Sequence, residues 1–244
     1  MRIDTLALQM RPRAALEAAD LGVRLCQATA RSVYPCYLLV AVPTGLIALS
    51  LFEIAAWLPV LALWWSKPWL DRTVLFVLAR AAFGQSTTIG DLWREQRTVW
   101  WRQFVITWTW RRLSPWRSFT QPVYQLEGLP FFRVRARIVQ LRGRYTGSAF
   151  MVTKAFYWAE FGIAFAALSL LFWFAPPGED FKLSTLFTEE SSRLAQLASA
   201  VAYFLAVLFI EPFYVAAGFG MYLNRRAELE AWDIEQEFRR AFAG

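Results

Sequence analysis

Two long apolar blocks, residues 33–65 and 155–223, bracket a middle stretch, 66–147, in which aromatic rings are interleaved with arginines. The first block is broken only by Pro35, Pro43, Gly45, Glu53 and Pro59. A straight helix crosses a bilayer in about twenty residues, so this block predicts a tight hairpin, with one overlong helix as the alternative. The hairpin would turn near Phe52 and Glu53, and its second leg, 54–65, is only roughly 18 Å of helix. Residues 148–175 predict a third crossing, whose continuous apolar run 155–175 is roughly 31 Å long as a helix. Pro176, Pro177 and Gly178 open an acidic stretch, 176–196, and residues 197–223 predict a fourth crossing. Within that last span Ala198, Ala202 and Ala206, followed by Ala216 and Gly220, let another helix approach closely.

The flanking segments are amphipathic. In 1–32, Leu16, Ala19, Val23, Cys26 and Ala30 repeat at spacings of three and four, a stripe that predicts a helix on the inner leaflet or against the bundle. The middle stretch predicts a new helix starting around Ser66, with Pro68 in its first turn and Gly84 as its stop. A second interfacial helix follows over 91–112, carrying Trp93, Trp100, Phe104 and Trp108 on one stripe; a tryptophan stripe packed within the protein is the other reading. Residues 113–130, with Pro115, Pro122 and Pro130, read as an ordered loop, and 131–142 reads as a helix. The last segment, 224–244, is amphipathic through Ala231, Ile234, Phe238 and Phe242. Its RAELEAWDI resembles RAALEAADL at 13–21, which reads as two surface helices solving one problem.

Composition and charge orient this pattern. The 244 residues are 57% hydrophobic and 18% charged, apolar enough to place much of the chain in lipid. Ten of the thirteen tryptophans lie between Trp57 and Trp116, where amphipathic rings and arginines suit a membrane–water boundary. Lysine and arginine outnumber acids fourteen to four in 66–147 and five to three in 1–32, so the positive-inside rule puts both flanks in the cytosol. The fold class is therefore an all-α integral membrane protein: about four transmembrane helices in two hairpins, amphipathic interfacial helices, and both termini cytoplasmic. The N-terminal arginines continue without an apolar core or cleavage site, which argues against a signal peptide. The net charge of +7 points to anionic headgroups and not to nucleic acid, because no recognition motif accompanies it.

The candidate chemistry is sparse. There is no histidine, so there is no Ser-His-Asp triad and no imidazole metal ligand, and no cofactor or metal is expected. Cys26 and Cys36 have neither redox nor zinc spacing and read as reduced structural thiols. Glu211, followed by Pro212, falls near the middle of the last crossing. Glu160 and Lys154 lie near the inner end of the third. An intramembrane carboxyl must be paired, hydrated or protonated, so these three residues form the candidate polar site, either a proton or cation site or a structural ion pair. A candidate lipid or partner face comprises Lys67, Asp71, Arg72, Trp93, Arg97, Trp100, Arg102, Trp108, Asn224, Arg225, Arg226 and Asp233.

WWSKPWLDRTVLFVLARAAFG at 64–84, WRRLSPWRSF at 110–119 and EPFYVAAGFGMYLNRRAELEAWDIE at 211–235 resemble an uncharacterised family of bacterial polytopic inner-membrane proteins. That family is often encoded beside MoxR-type AAA ATPases. The aromatic-Leu-Asn-Arg-Arg exit and the acidic Trp-Asp-Ile helix are also similar to the end of the glycerophosphodiester phosphodiesterase membrane-domain group. The resemblance implies an inner-membrane location and a multiprotein setting, without an established activity. The expected function is a non-catalytic scaffold or accessory subunit of an envelope-associated complex, with anionic lipids and other membrane or cytosolic proteins as partners. The alternative is a small-solute or ion transporter or channel using Glu211 and Glu160.

Overall fold

The computed structural model describes residues 13–101, 108, 113–173 and 193–230. Every regular element among them is helical, with no strand: α1 (Ala15–Ala28), α2 (Ala30–Ser50, extended by a 3-10 turn, Leu51–Glu53), α3 (Leu58–Ala81), α4 (Ile89–Arg94), a π turn (Arg97–Trp101), α5 (Arg117–Leu126), α6 (Phe131–Arg142), α7 (Thr146–Trp173) and α8 (Arg193–Glu230). Two helical stretches, Ala30–Glu53 and Arg193–Glu230, are long and apolar enough to cross a membrane.

Helix α8 is the axis, because its small residues admit neighbouring backbones on several sides. A Cβ on Gly22 would lie 2.0 Å from the carbonyl oxygen of Ala216, and one on Gly220 would lie 2.3 Å from that of Ala18. Rising numbers on α1 thus meet falling numbers on α8, and α1 runs antiparallel to the C-terminal half of α8. The burial face of α1 is Ala18, Ala19, Gly22 and Cys26. The predicted stripe is corrected at Leu16, which is exposed, since contact this close selects the smallest side chains. Helix α2 continues the antiparallel path. Tyr34 and Tyr37 donate to the carbonyls of Phe209 and Val207, at 3.1 and 3.2 Å, and Gly45 receives the ring of Phe204. Those two tyrosines bracket Leu208, whose carbonyl Pro212 leaves without its helical donor. Cys26 and Cys36 are buried free thiols, and burial pushes Cys26 up to about 12.

The hairpin turn falls at Leu51–Glu53, as the pattern predicts. The helix start expected at Ser66 does not occur: α3 runs unbroken through Pro68. Its stop is the expected one, with Gly84 at φ +71°, where a Cβ would be strained. The loop expected at 113–130 is also corrected. Arg117–Leu126 is a helix with Pro122 inside it, and its polar side chains are buried against the charged face of α3 and the small face of α8, where Gly218 abuts Ser118. Residues 131–142 form the expected helix. Where one helix is expected over 91–112, the described residues hold a short α4, capped by Thr88 and Asp91 in a reciprocal capping box, and then the π turn, and most of 102–112 lies outside them. The acidic stretch 176–196 and the segment 224–244 lie largely outside the described residues. Of the latter, 224–230 simply prolongs α8.

The two halves of the bundle have different surfaces. On one half, α2 exposes Leu39, Leu46 and Ile47, the turn exposes Ile54 and Trp57, α7 exposes Tyr157, Trp158, Phe161, Phe165 and Leu170, and α8 exposes Leu194, Leu205 and Phe209. Ile47 is 67% and Trp158 65% exposed, and scattered surface hydrophobics do not explain a band of this extent. On the other half, α1 turns Glu17, Asp20 and Arg24 outward, α6 exposes Arg133 and Arg135, and the end of α8 carries charged residues, with Leu16, Phe132, Val139 and Leu229 exposed among them.

Candidate functional site

Helices α3, α5, α7 and α8 each contribute charge to one buried cluster. Lys67 and Asp71 lie four residues apart on α3 and therefore share a face. Lys67 Nζ contacts both carboxylate oxygens of Glu160 on α7 at 2.5 Å and Glu211 Oε2 on α8 at 2.9 Å. Arg117, in the first turn of α5, bonds the second oxygen of Glu211 through Nη2. Its Nε is 2.9 Å from Asp71 Oδ2, within ion-pair range but outside the directional requirement of a hydrogen bond. Lys67 also sits over the ring of Tyr203 and Arg117 over that of Tyr214, at 5.5 and 5.1 Å. All five charged residues are at least nine-tenths buried, and Glu211 is 1% exposed.

Such a cluster contributes little net stability over an apolar packing of the same shape, since desolvation offsets the Coulomb attraction. Its energetic character lies in the cost of breaking it. Each partner is held by at least one opposite charge from another helix, so truncating one to an apolar side chain leaves a buried charge without that partner. A cavity of about 300 Å³ opens beside it, lined by Trp64, Lys67, Leu113, Ser114, Pro115, Arg117, Thr153, Phe156, Tyr157, Glu160, Tyr203, Ile210, Glu211 and Tyr214.

The structure brings Glu211 and Glu160 together through a shared cation, Lys67. Lys154 is not part of the site: it is exposed and lies over Phe150. Lys67, Asp71 and Arg72 are corrected from an outward face to the interior. Arg72 donates to the carbonyls of Val99 and Thr98, tying α3 to the π turn. The tryptophan stripe divides. Trp93 and Arg97 are exposed, Trp108 is half-buried, and Trp100 is buried against Trp69 with its indole N–H on Thr73 at 3.0 Å. Arg102 and Asp233 lie outside the described residues. Arg117, Tyr203 and Tyr214 are the cluster members that sequence reasoning missed. The four-residue spacing of Lys67 and Asp71 and the three-residue spacing of Glu211 and Tyr214 are the signals that point to them.

A second network locks the polar half. The Asn224 amide accepts from Arg13 N at 3.1 Å and donates to Arg13 O at 2.9 Å, pairing with that backbone as a peptide would. It also donates to Tyr145 Oη, which itself donates to Glu228 at 2.6 Å. Arg225 pairs with Glu228, and Arg226 and Arg137 pair with Glu230. The exit residues Asn224, Arg225 and Arg226 are therefore corrected from a lipid or partner face to internal ties. Burial first, and then the Glu228 carboxylate, push Tyr145 up to about 12 from an unfolded value near 10. A raised value means that this contribution is intact below about pH 10 and is lost as pH climbs towards 12. Alkaline unfolding monitored by circular dichroism should consequently be shallower in Tyr145→Phe than in the wild type across that window, and the two should run parallel below it.

No family model, curated protein or solved structure matches the chain. The class that fold and site define is an all-helical protein with two membrane-length helices and a buried, multiply paired charge cluster.

Proposed function

We propose that the chain is a multi-pass protein of the bacterial inner membrane, crossing as two hairpins through α2, α3, α7 and α8 with both termini cytoplasmic. In this reading it serves as a non-catalytic scaffold or accessory subunit of an envelope-associated complex. The observation that carries the membrane assignment is the run of exposed apolar side chains on α2, α7 and the first half of α8, two of whose helices, α2 and α8, are of membrane length. From Arg193 to Glu211 is eighteen residues, about 27 Å of helix, close to the thickness of a hydrocarbon core. Glu211 then lies at the inner boundary and not at mid-depth, level with the first turn of α2 and the exposed Arg31. The scaffold assignment is supported by the closure of the cluster, because Glu211 and Glu160 are held by Lys67 and Arg117 across four helices. It also rests on the family resemblance of the three quoted motifs.

Cysteine labelling in intact cells tests the topology. With Glu189→Cys and Gln85→Cys made separately, only position 189 should react with an impermeant maleimide; labelling at 85 contradicts two hairpins. Purification in mild detergent should recover stoichiometric protein partners. The transporter reading is favoured by one feature, the cavity bordering both carboxylates. Glu211→Gln distinguishes the two, since it keeps the shape but removes the titratable group. Complementation of a deletion phenotype by this variant at matched protein level supports the scaffold; normal assembly without complementation supports transport.

A further inference from the structure

Helix α6 is apolar on two opposite faces. Val134 and Leu141 are buried in the core, with Ile138 packed against it. Phe132, Ala136 and Val139 follow the four-then-three spacing of a helix-pairing seam, and all three are exposed. Phe132 is 89% exposed, the most of any large hydrophobic side chain among the described residues. Arg133 and Arg135, also exposed, flank that seam at the positions where paired helices exchange charge. Residues 131–144 hold five arginines and no acid, so the complement of this face is anionic. Arg137 is already paired with Glu127 and Glu230, and Arg142 lies over Trp116. Lipid does not reach the seam. Arg225 donates to the carbonyl of Leu141 at 3.3 Å and Arg137 pairs with Glu230, so α6 runs antiparallel to the end of α8 and its first turn lies at the level of Glu230 or beyond. From Glu211 at the inner boundary to Glu230 is nineteen residues, about 28 Å of helix, against a headgroup layer of roughly 5–8 Å.

We propose that the outer face of α6 binds an acidic amphipathic helix of a partner protein. The apolar seam of that helix packs on Phe132, Ala136 and Val139, and carboxylates on its flanks reach Arg133 and Arg135. Aromatic rings and arginines are among the residues enriched at protein interfaces, and α6 presents both at its distal end. Such a helix belongs to a partner of the scaffold described above, and its assignment rests on that reading.

The test is photocrosslinking of the full chain in its native cells, with p-benzoylphenylalanine replacing Phe132 or Val139 one at a time. A discrete product is expected at both positions, joined to a peptide of another protein in which Asp and Glu outnumber Lys and Arg. Arg133→Glu combined with Arg135→Glu should lower its yield about tenfold or more, a loss of ~1.4 kcal/mol, while the chain accumulates as before because both side chains are exposed. Washing the membranes in potassium chloride before irradiation should release the partner without any substitution, since the screening length falls from about 10 Å at 0.1 M to about 3 Å at 1 M. Adducts to lipid, to nucleic acid or within the chain itself, a joined peptide without an acidic excess, or a yield unmoved by charge reversal or by salt overturns the proposal. No product while stoichiometric partners co-purify overturns this surface alone; no product and no co-purifying partner overturns the scaffold reading with it. Retention of the chain in carbonate-washed membranes is scored separately, and its loss counts against the membrane reading.

Discussion

Replacing Glu211 by leucine is expected to abolish accumulation of folded protein. Leucine leaves Lys67 with Glu160 alone and strips Arg117 of its terminal hydrogen bond, in a site that is 1% exposed. Breaking a buried ion pair by removing one partner costs about 3–5 kcal/mol, a large part of the 5–15 kcal/mol that typically holds a domain folded. Glutamine behaves differently. It retains hydrogen-bonding oxygen and nitrogen in the same volume. Glu211→Gln should therefore assemble nearly as well as the wild type. Asp71→Asn should do likewise, because the Asp71 side chain is fully buried, its oxygens accept no hydrogen bond, and asparagine keeps its shape. Yield and thermal midpoint of the purified variants in detergent read the order: wild type and both amides together, leucine far below. A leucine variant as stable as the wild type would mean that the cluster does not tie the four helices.

The second large effect is expected at the α1–α8 contact. At Gly22 and Gly220 the obstacle to a Cβ is backbone, at 2.0 and 2.3 Å, so no side-chain rotation relieves it and the helices must separate. Gly22→Ala should cost about 1–3 kcal/mol as overpacking, and Gly22→Leu should detach α1 altogether. The control is Gly162 in α7, where nothing lies within 4 Å of the added carbon. There alanine should gain up to about 1 kcal/mol through helix propensity. Equal responses at the two positions would show that α1 is not packed on α8 as described.

How much of this was legible follows from which forces sequence patterns report. Long apolar runs and their interruptions report local preference and burial, and they located α2, its turn, α7 and α8, while the helix at 131–142 followed from the lack of a partner for a lone strand. The failures share a cause. Pro68 and Pro122 were read as punctuation, yet both sit inside helices whose remaining bonds and tertiary contacts outweigh one missing donor. The arginines and aspartate of 66–147 were read as facing water or headgroups because isolated charges usually do. The partners of Lys67 and Arg117, Glu160 and Glu211, lie some ninety to one hundred and forty residues away, a separation periodicity does not record. Only the matching signs and the spacing of Lys67 and Asp71 hinted at a shared interior face. Asn224 and Tyr145 were obscured in the same way, because their common partner is the backbone of Arg13.

The central claim, that one half of this bundle is embedded in lipid and the other is not, is tested most directly by depth-dependent quenching in bilayers containing brominated lipids. A bimane label would be placed singly at Ile47, Phe165 and Leu205 on the apolar band, and at Asp20, Arg24 and Arg135 on the polar half. The account predicts strong quenching at the first three positions and none at the last three. Equal, weak quenching at all six would contradict it.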